Sequence, residues 1–265
     1  MVDPSLANGG LTVGTLIGAG FAAVVGGAIN SIAGGGTLVT FPAIVALGVP
    51  PLTANATNTM ALWPGAFGSL WGYREQLAGM RSWVARFSVP SVLGGLSGGW
   101  LLLSTGQERF ARIVPFLVLG ATVLFMLNGP LGRWLRGRGA AGAEAEPQGG
   151  PFFFLAQFLV GVYGGYFGAG IGILMLAVLG LVGFTDIHRM NAVKVWGALL
   201  MNVVAAGLFA WKGVVLWPLA LVMAVGAIVG GYGGSRFAMR VGQVWVRRAV
   251  VAIGMGSFLW LLVRR

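Results

Sequence analysis

The sequence predicts an all-α polytopic membrane protein made of two inverted repeats, each a glycine-broken helical hairpin plus three transmembrane helices. Three observations support this: an apolar, sparsely charged composition, a glycine cluster before each of two short apolar segments, and an internal repeat. Hydrophobic residues make up 57% of the 265 residues and charged residues only 9%, whereas a soluble domain carries about 25% charged residues. Such a chain cannot cover a water-facing surface.

Composition also limits the chemistry that the protein can perform. With no cysteine, one histidine and six acidic residues, we expect no cofactor, no metal site and no enzymatic activity. The net charge of +11 would suggest nucleic acid in a soluble protein. Here the cations lie in short breaks between apolar segments, where they set membrane orientation, so the lipid bilayer is the expected partner and nucleic acid is not.

Ten apolar segments follow one another along the chain, and two of them are short. A helix needs about 20 residues to cross the hydrocarbon core, and segments 37–49 and 171–184 fall below that length. Each directly follows a glycine cluster. The ten segments are 11–32, 37–49, 56–73, 84–104, 110–128, 152–168, 171–184, 191–211, 214–235 and 246–263.

A polar linker divides the chain into two similar halves. The stretch GRWLRGRGAAGAEAEPQGGP is rich in glycine, alanine and charge, which is typical of a linker. We therefore predict a first repeat over 1–130, a cytoplasmic linker over 131–151 and a second repeat over 152–265. One constant offset, without gaps, relates the halves (the repeat offset): it matches Gly34 with Gly170, Gly36 with Gly172, Asn55-Ala56 with Asn191-Ala192, and Gly106-Gln107 with Gly242-Gln243.

The distribution of cations predicts how the two halves are inserted. If each glycine-broken pair is a hairpin that returns to its starting side, the cations divide twelve against five; if each pair is one broken crossing, they divide nine against eight. The positive-inside rule favours the hairpin, which places both termini in the periplasm. Three further crossings per half then make the second half enter from the opposite side. Whether each hairpin arm crosses fully stays open, because 11–32 is long enough.

The two glycine clusters predict an anion site at the midplane. Broken backbone inside a membrane is tolerated only when it is buried in protein or lines a cavity. A new helix that begins near Thr37 would present unpaired amide N–H groups and a partial positive charge. The second break, at 168–172, should do the same from the opposite side.

Polar residues near the breaks complete the candidate site. Asn55 and Asn58 share one helix face, and Asn191 and Lys194 are their repeat partners. Lys194 either faces the anion or extends to the cytoplasmic interface, and Trp63 and Trp196 are candidate pocket walls. The candidate substrate-binding residues are Asn30, Ser31, Gly34, Gly35, Gly36, Thr37, Asn55, Asn58, Gly168, Gly170, Gly172, Asn191, Lys194 and Asn202.

Glycines elsewhere are better explained by helix packing than by ligand binding. Gly94 and Gly98, with their partners Gly230 and Gly234, are spaced as small residues that let transmembrane helices touch. We therefore expect them at helix–helix contacts.

Two stretches resemble the signatures of the TauE/SafE family of sulfite exporters. GGAINSIAGGGTLVTFPAIVALGVPPLTANATNT (26–59) is similar to the first signature and GVYGGYFGAGIGILMLAVLGLVGFTDIHRMNAVK (161–194) to the second. The resemblance implies a bacterial inner-membrane transporter of sulfite, sulfoacetate or related small sulfur anions, with a homodimer as a candidate assembly. The Gly-Ala-Gly-Ile-Gly run at 168–172 departs from the longer glycine run of many members, which would alter the pocket shape.

The leading hypothesis from the sequence is a secondary transporter that exports a small oxyanion by alternating access. A negative-inside potential of 100 mV favours the exit of one negative charge by about 2.3 kcal/mol, so export needs no coupling ion. The alternative is an anion channel or a permease for another small anion, which would use the same residues. A membrane-embedded enzyme is the weakest hypothesis, because acid–base groups are so few.

Overall fold

The computed structural model describes residues 11–33, 35–78, 80–140, 150–241 and 243–263. Within these ranges the regular structure is helical, which confirms the predicted all-α class. The helices are α1 (Val13–Ala33), α2 (Thr37–Ala46), α3 (Pro51–Leu62), α4 (Ala66–Gly72), α5 (Arg74–Ala78), α6 (Arg81–Thr105), α7 (Gln107–Ala140), α8 (Pro151–Tyr166), α9 (Ile171–Leu181), α10 (Ile187–Trp211), α11 (Trp217–Val241) and α12 (Gln243–Val263).

Several of these helices have the length and composition of membrane spans. In the described part of the chain, four are long and apolar enough to cross a bilayer: α1, α6, α7 as far as Leu131, and α10. Shorter apolar stretches lie in α2, α8, α9, α11 and α12. The fold is therefore that of a multi-pass membrane protein.

Both predicted backbone breaks are present. The first separates α1, which ends at Ala33, from α2, which begins at Thr37 as the sequence predicts. The second separates α8 from α9 over 167–170. The predicted segment 37–49 is shorter as a helix, because Gly48 takes a positive φ of 93° and the Val49 N–H turns back to the Ile44 carbonyl.

The predicted segment 56–73 is wrong as a single helix. The structure instead has α3, which already begins at Pro51, a 3₁₀ turn over Trp63–Gly65, and α4. Pro64 explains the break, since proline lacks the N–H that an α-helix needs and clashes with the preceding turn. At the repeat offset, the second half has Leu200 in place of Pro64, and α10 runs through it without interruption.

The predicted linker, 131–151, is helical at both of its ends. Helix α7 continues as far as Ala140, and α8 begins at Pro151. The residues between them, 141–149, lie outside the described ranges.

The two halves of the chain begin several helices at matching positions, and the first helix of each half packs against the other half. The first residues of three helices in the second half match, at the repeat offset, the first residues of three helices in the first half: α10 matches α3, α11 matches α6, and α12 matches α7. The most extensive contacts pair α1 with α11 and α8 with α6. The first helix of each half therefore packs against a long helix of the other half.

Glycines line these two extensive helix–helix contacts. A Cβ at Gly94 would lie 2.5 Å from the Phe158 carbonyl oxygen, and one at Gly98 would meet the Val162 carbonyl oxygen. A Cβ at Gly230 would meet the Val24 carbonyl oxygen on α1. The predicted packing role is confirmed at these three glycines, whereas the surroundings of Gly234 are outside what the structure describes.

We expect Gly230→Val to destabilise the protein more than Gly207→Val. Overpacking costs about 1–3 kcal/mol, and 1 kcal/mol moves the unfolding midpoint by roughly 2–4 °C in a chain of this size. Thermal unfolding in detergent should therefore show a midpoint about 2–12 °C lower for the Gly230 variant. Gly207 is the matched control, because it also lies inside a helix and a Cβ there meets nothing within 4 Å. Equal midpoints would contradict this packing role.

Candidate substrate-binding site

Both glycine bends contribute to one internal cavity of about 220 Å³. The walls come from the first bend, α3 and its 3₁₀ turn, α4, the second bend, α9 and α10. The lining residues are Asn30, Gly35, Thr37, Asn58, Thr59, Leu62, Trp63, Ala66, Phe167, Gly168, Gly170, Ile171, Gly172, Ile173, Leu176, Lys194, Val195, Ala198 and Asn202.

Lys194 is the one charged side chain among the lining residues that the structure describes. Its Nζ donates a hydrogen bond to Asn191 Oδ1 at 2.7 Å. Because Asn191 is neutral, this contact orients the ammonium without cancelling its charge. The cavity wall therefore carries a positive charge and no carboxylate.

The first bend requires glycine for two reasons. Gly35 has a φ of 147°, in the region that side chains disfavour. A Cβ there would lie 2.8 Å from Cε2 of Phe125. The Gly35 N–H donates to Asn30 Oδ1 at 3.3 Å, so the side chain that precedes the bend also holds it in place.

A tyrosine hydroxyl holds the backbone of the second bend in place. Gly168 and Gly170 have φ values of 79° and 78°, and the Tyr163 hydroxyl donates to the Ala169 carbonyl between them at 2.7 Å. In the described part of the chain, the N–H groups of Gly170 and Gly172 donate no hydrogen bond. These are the free donors that a helix N-terminus offers to an anion.

The two asparagines of α3 have different surroundings. The Asn55 side chain is buried, and its Nδ2 donates to the Tyr166 carbonyl at 3.0 Å, which ties α3 to the end of α8. Asn58 lines the cavity and has only 2% of its surface exposed. Its Oδ1 has no hydrogen-bond partner in the described structure, so its amide is free for a ligand.

The polar residues of α10 are spread along the cavity. Lys194 and Asn202 both line it, and eight residues of helix separate them by about 12 Å. The Lys194 stem lies against Gly172: a Cβ added at Gly172 would be 3.3 Å from Lys194 Cδ. Asn202 Oδ1 lies near Gly168. The Lys194 stem thus packs against the second bend, and Asn191 orients its ammonium.

Most of the candidate residues are brought together. Nine of them line the cavity: Asn30, Gly35, Thr37, Asn58, Gly168, Gly170, Gly172, Lys194 and Asn202. Gly36 lies behind it, because a Cβ there would meet the Gly26 carbonyl oxygen. Asn55 and Asn191 contact residues of the site without lining the cavity. Gly34 and the side chain of Ser31 lie outside the described residues.

The apolar wall is the part that sequence reasoning largely missed. Trp63, considered as a pocket wall, does line the cavity, whereas Trp196 instead donates to Ser88 Oγ at 2.8 Å. The polar and small residues of α10 recur at helical spacing, and this pattern could have predicted more of the residues by which α10 lines the cavity. The apolar lining residues not expected from the sequence are Leu62, Ala66, Phe167, Ile171, Ile173, Leu176, Val195 and Ala198.

A cluster of four aromatic side chains lies beyond the second bend. The ring centroids of Phe41 and Phe167 are 5.3 Å apart, and those of Phe110 and Tyr166 are 5.7 Å apart. The three phenylalanines are buried, and the Tyr166 hydroxyl is 3.3 Å from Thr105 Oγ1. Since Phe167 also lines the cavity, this aromatic cluster connects the cavity wall with the end of α6 and the start of α7.

A multi-pass helical protein in which two glycine-broken helix pairs line one cavity has the architecture of a membrane transporter. The family model of the sulfite exporter TauE/SafE matches residues 12–261, and the chain belongs to this family. The match covers nearly all of the chain, including both bends and every helix that contributes to the cavity.

Similar proteins are named as membrane transporters. The chain is 32% identical over 235 residues to the probable membrane transporter protein YfcA of Escherichia coli K12, which covers 88% of this chain and 84% of that protein. It is 30% identical over 250 residues to the probable membrane transporter protein ORF9 of a Sinorhizobium species, covering 91% and 90%. No solved structure matches the chain. Family and relatives together identify a multi-pass membrane transporter.

We expect Ala198→Cys to react with a water-soluble maleimide and Ala206→Cys to be protected. Both alanines lie on α10, but Ala198 lines the cavity and Ala206 has 1% of its surface exposed. The chain has no cysteine of its own, so each variant carries a single thiol, and labelling follows thiol exposure. The labelling rate of purified protein is the measurement, and equal rates would contradict the position of the cavity.

Proposed function

We propose that this transporter exports a small sulfur oxyanion, sulfite or an organosulfonate such as sulfoacetate, across the bacterial inner membrane by alternating access. The observation that supports it best is the single cavity that both glycine bends and Lys194 line. The membrane and family findings support transport itself. The anion and the mechanism are our inference from the cavity.

The charges of the cavity favour an anion. Helix N-termini carry about half a positive charge and free N–H donors, and one such end borders the cavity at each bend. Lys194 adds a full charge where the low dielectric strengthens electrostatic attraction. A cation would meet no carboxylate among the lining residues. A sulfur oxyanion offers oxygen acceptors to all of these donors.

We infer that the two halves are inverted repeats. The helix boundaries shared at the repeat offset and the exchanged contacts, α1 with α11 and α8 with α6, support a two-fold relation between halves. The cation distribution supports opposite insertion. Repeats of this kind move against one another around a fixed site in many transporters.

The aromatic cluster favours a carrier over an open channel. We infer that it closes the cavity on one side, because its three phenylalanines are buried and one of them, Phe167, lines the cavity. From the bends, the lining residues extend along α9 and α10 toward the arginine-rich side, which we assign to the cytoplasm. At the positions equivalent to Phe41 and Phe110, the second half has Ala177 and Val246, so the repeat offset predicts no matching pair of phenylalanines there. Access from the cytoplasm suits an exporter.

The direction of transport follows from the membrane potential. With a negative interior, the exit of one negative charge is favoured by about 2.3 kcal/mol at 100 mV, which suffices for export. A homodimer, which the family resemblance suggests, is our proposal for the assembly. We place both termini in the periplasm on the same cation distribution.

We expect Lys194→Met to weaken sulfite binding and to lower sulfite flux several-fold, because methionine keeps the length of the stem and removes the charge. Lys212→Met is the matched control. Lys212 follows the same helix, and its Nζ lies over the Trp211 ring, 4.6 Å from the centroid, away from the cavity. Titration of purified protein and flux into proteoliposomes measure the two effects. Unchanged affinity in the Lys194 variant would contradict a role in anion binding.

We expect Gly35→Val to abolish sulfite flux while the protein still inserts into the membrane. A valine at the φ of 147° is strained, and its Cβ would displace Phe125, which deforms the first bend. Gly48→Val is the control, since Gly48 also has a positive φ but a Cβ there meets nothing within 4 Å. Normal flux with inserted Gly35→Val protein would rule out an anion bound at this bend.

A further inference from the structure

Two buried amide oxygens on α3 have no hydrogen-bond partner in the described structure. They are Oδ1 of Asn55 and Oδ1 of Asn58, on residues that are 1% and 2% exposed. The two residues are three positions apart and share one face of the helix. A buried acceptor without a partner costs free energy, so two of them together indicate a ligand that oxygen atoms bind.

The orientation of the Asn55 amide is fixed by its surroundings. Its nitrogen donates to the Tyr166 carbonyl at 3.0 Å, and a carbonyl oxygen cannot donate in return. Exchanging the amide oxygen and nitrogen would therefore place two acceptors against each other. The unpartnered atom of Asn55 is thus an oxygen, and it lies beside the end of α8.

The C-terminal end of α8 adds negative electrostatic potential beside Asn55. A helix C-terminus carries about half a negative charge, and its last carbonyls have no intrahelical donors. The N–H groups of Phe167 and Gly168 both donate to the Tyr163 carbonyl, so the backbone turns away from the following carbonyls. The Asn55 amide therefore lies against the negative end of a helix, and Asn58 lines the cavity together with Phe167 and Gly168, which follow that end.

We propose that a monovalent cation of the sodium type binds between Asn55, Asn58 and the last turn of α8. Amide and carbonyl oxygens are ligands that hard cations prefer, and transporters bind Na⁺ at the C-terminal ends of broken helices. The described residues contain no cluster of acidic, histidine or cysteine side chains for a metal ion. The oxygens that this site offers are neutral amide and carbonyl oxygens, which suit one positive charge rather than two.

This cation site adjoins the proposed anion site through Asn58. One side chain lines the cavity and holds a buried oxygen, so its amide can bind the cation through oxygen and the anion through nitrogen. This coupling rests on the proposed function. Each ion would then raise the affinity for the other by the same factor, and a cation that stays bound leaves the charge moved per cycle unchanged.

Thermal unfolding in different salts tests the cation site without any anion substrate. Purified wild-type protein is unfolded in sodium chloride, potassium chloride and choline chloride at equal ionic strength. A ligand that binds the native state raises the midpoint, and we expect sodium chloride to raise it by about 3 °C or more over choline chloride. Equal midpoints in the three salts would overturn the proposal and indicate that water satisfies the two oxygens.

Two variants locate the effect of sodium. Asn58→Ala removes one oxygen and should abolish the difference between the salts. Gln157→Ala is the matched control, because Gln157 is also fully buried with an unpartnered Oε1 while its Nε2 donates to Ser91 Oγ, away from the cavity. If Asn58→Ala does not fold, Asn58→Ser replaces it. A sodium effect that persists without the Asn58 amide would overturn the assignment.

Sulfite binding separates this proposal from the proposed function. Titrated with sulfite, the wild type should bind about fivefold more tightly in sodium than in choline. If sulfite does not bind in any salt while the sodium shift persists, the cation site stands and the proposed substrate fails. If sulfite binds equally in both salts, the coupling through Asn58 is wrong.

Discussion

Backbone that is not helical must find hydrogen-bond partners inside the protein when it lies in a bilayer, and this constraint shapes the whole molecule. The two glycine bends interrupt α-helical hydrogen bonding. Asn30 accepts from the first bend and Tyr163 donates to the second. The Asn55 side chain donates to the Tyr166 carbonyl, which precedes the second bend. Gly170 and Gly172, whose N–H groups donate no hydrogen bond in the described structure, line the cavity to which both bends contribute.

The two halves have the same plan but different chemistry at matching positions. Asn58 of the first half corresponds to Lys194 of the second, and Asn30 corresponds to Tyr166. Among the described lining residues, the one charged side chain therefore comes from the second half, and Phe41 and Phe110 have no aromatic counterpart at the repeat offset. The packing glycines of α6 and α11 let the exchanged helices approach closely.

The sequence predicted the bends because glycine clusters inside apolar segments have few physical explanations. It placed the start of α2 at Thr37 correctly and brought nine candidate residues to one cavity. It missed the break at Pro64, because the apolar run of 56–73 outweighed one proline. It also missed the apolar wall, since Leu176 and Val195 look like any residue that packs in a membrane helix. Which of them face a cavity depends on how helices of both halves pack, and one segment alone does not show this.

Counterflow of labelled sulfite in proteoliposomes tests the central claim most directly, that the cavity binds the anion on one side of the membrane and releases it on the other. Vesicles that contain the protein and are loaded with unlabelled sulfite are diluted into labelled sulfite. The account predicts that the label accumulates transiently above its equilibrium level and that its entry rate saturates with concentration. Entry that rises linearly with sulfite, without any transient accumulation, would contradict it and indicate an open pore.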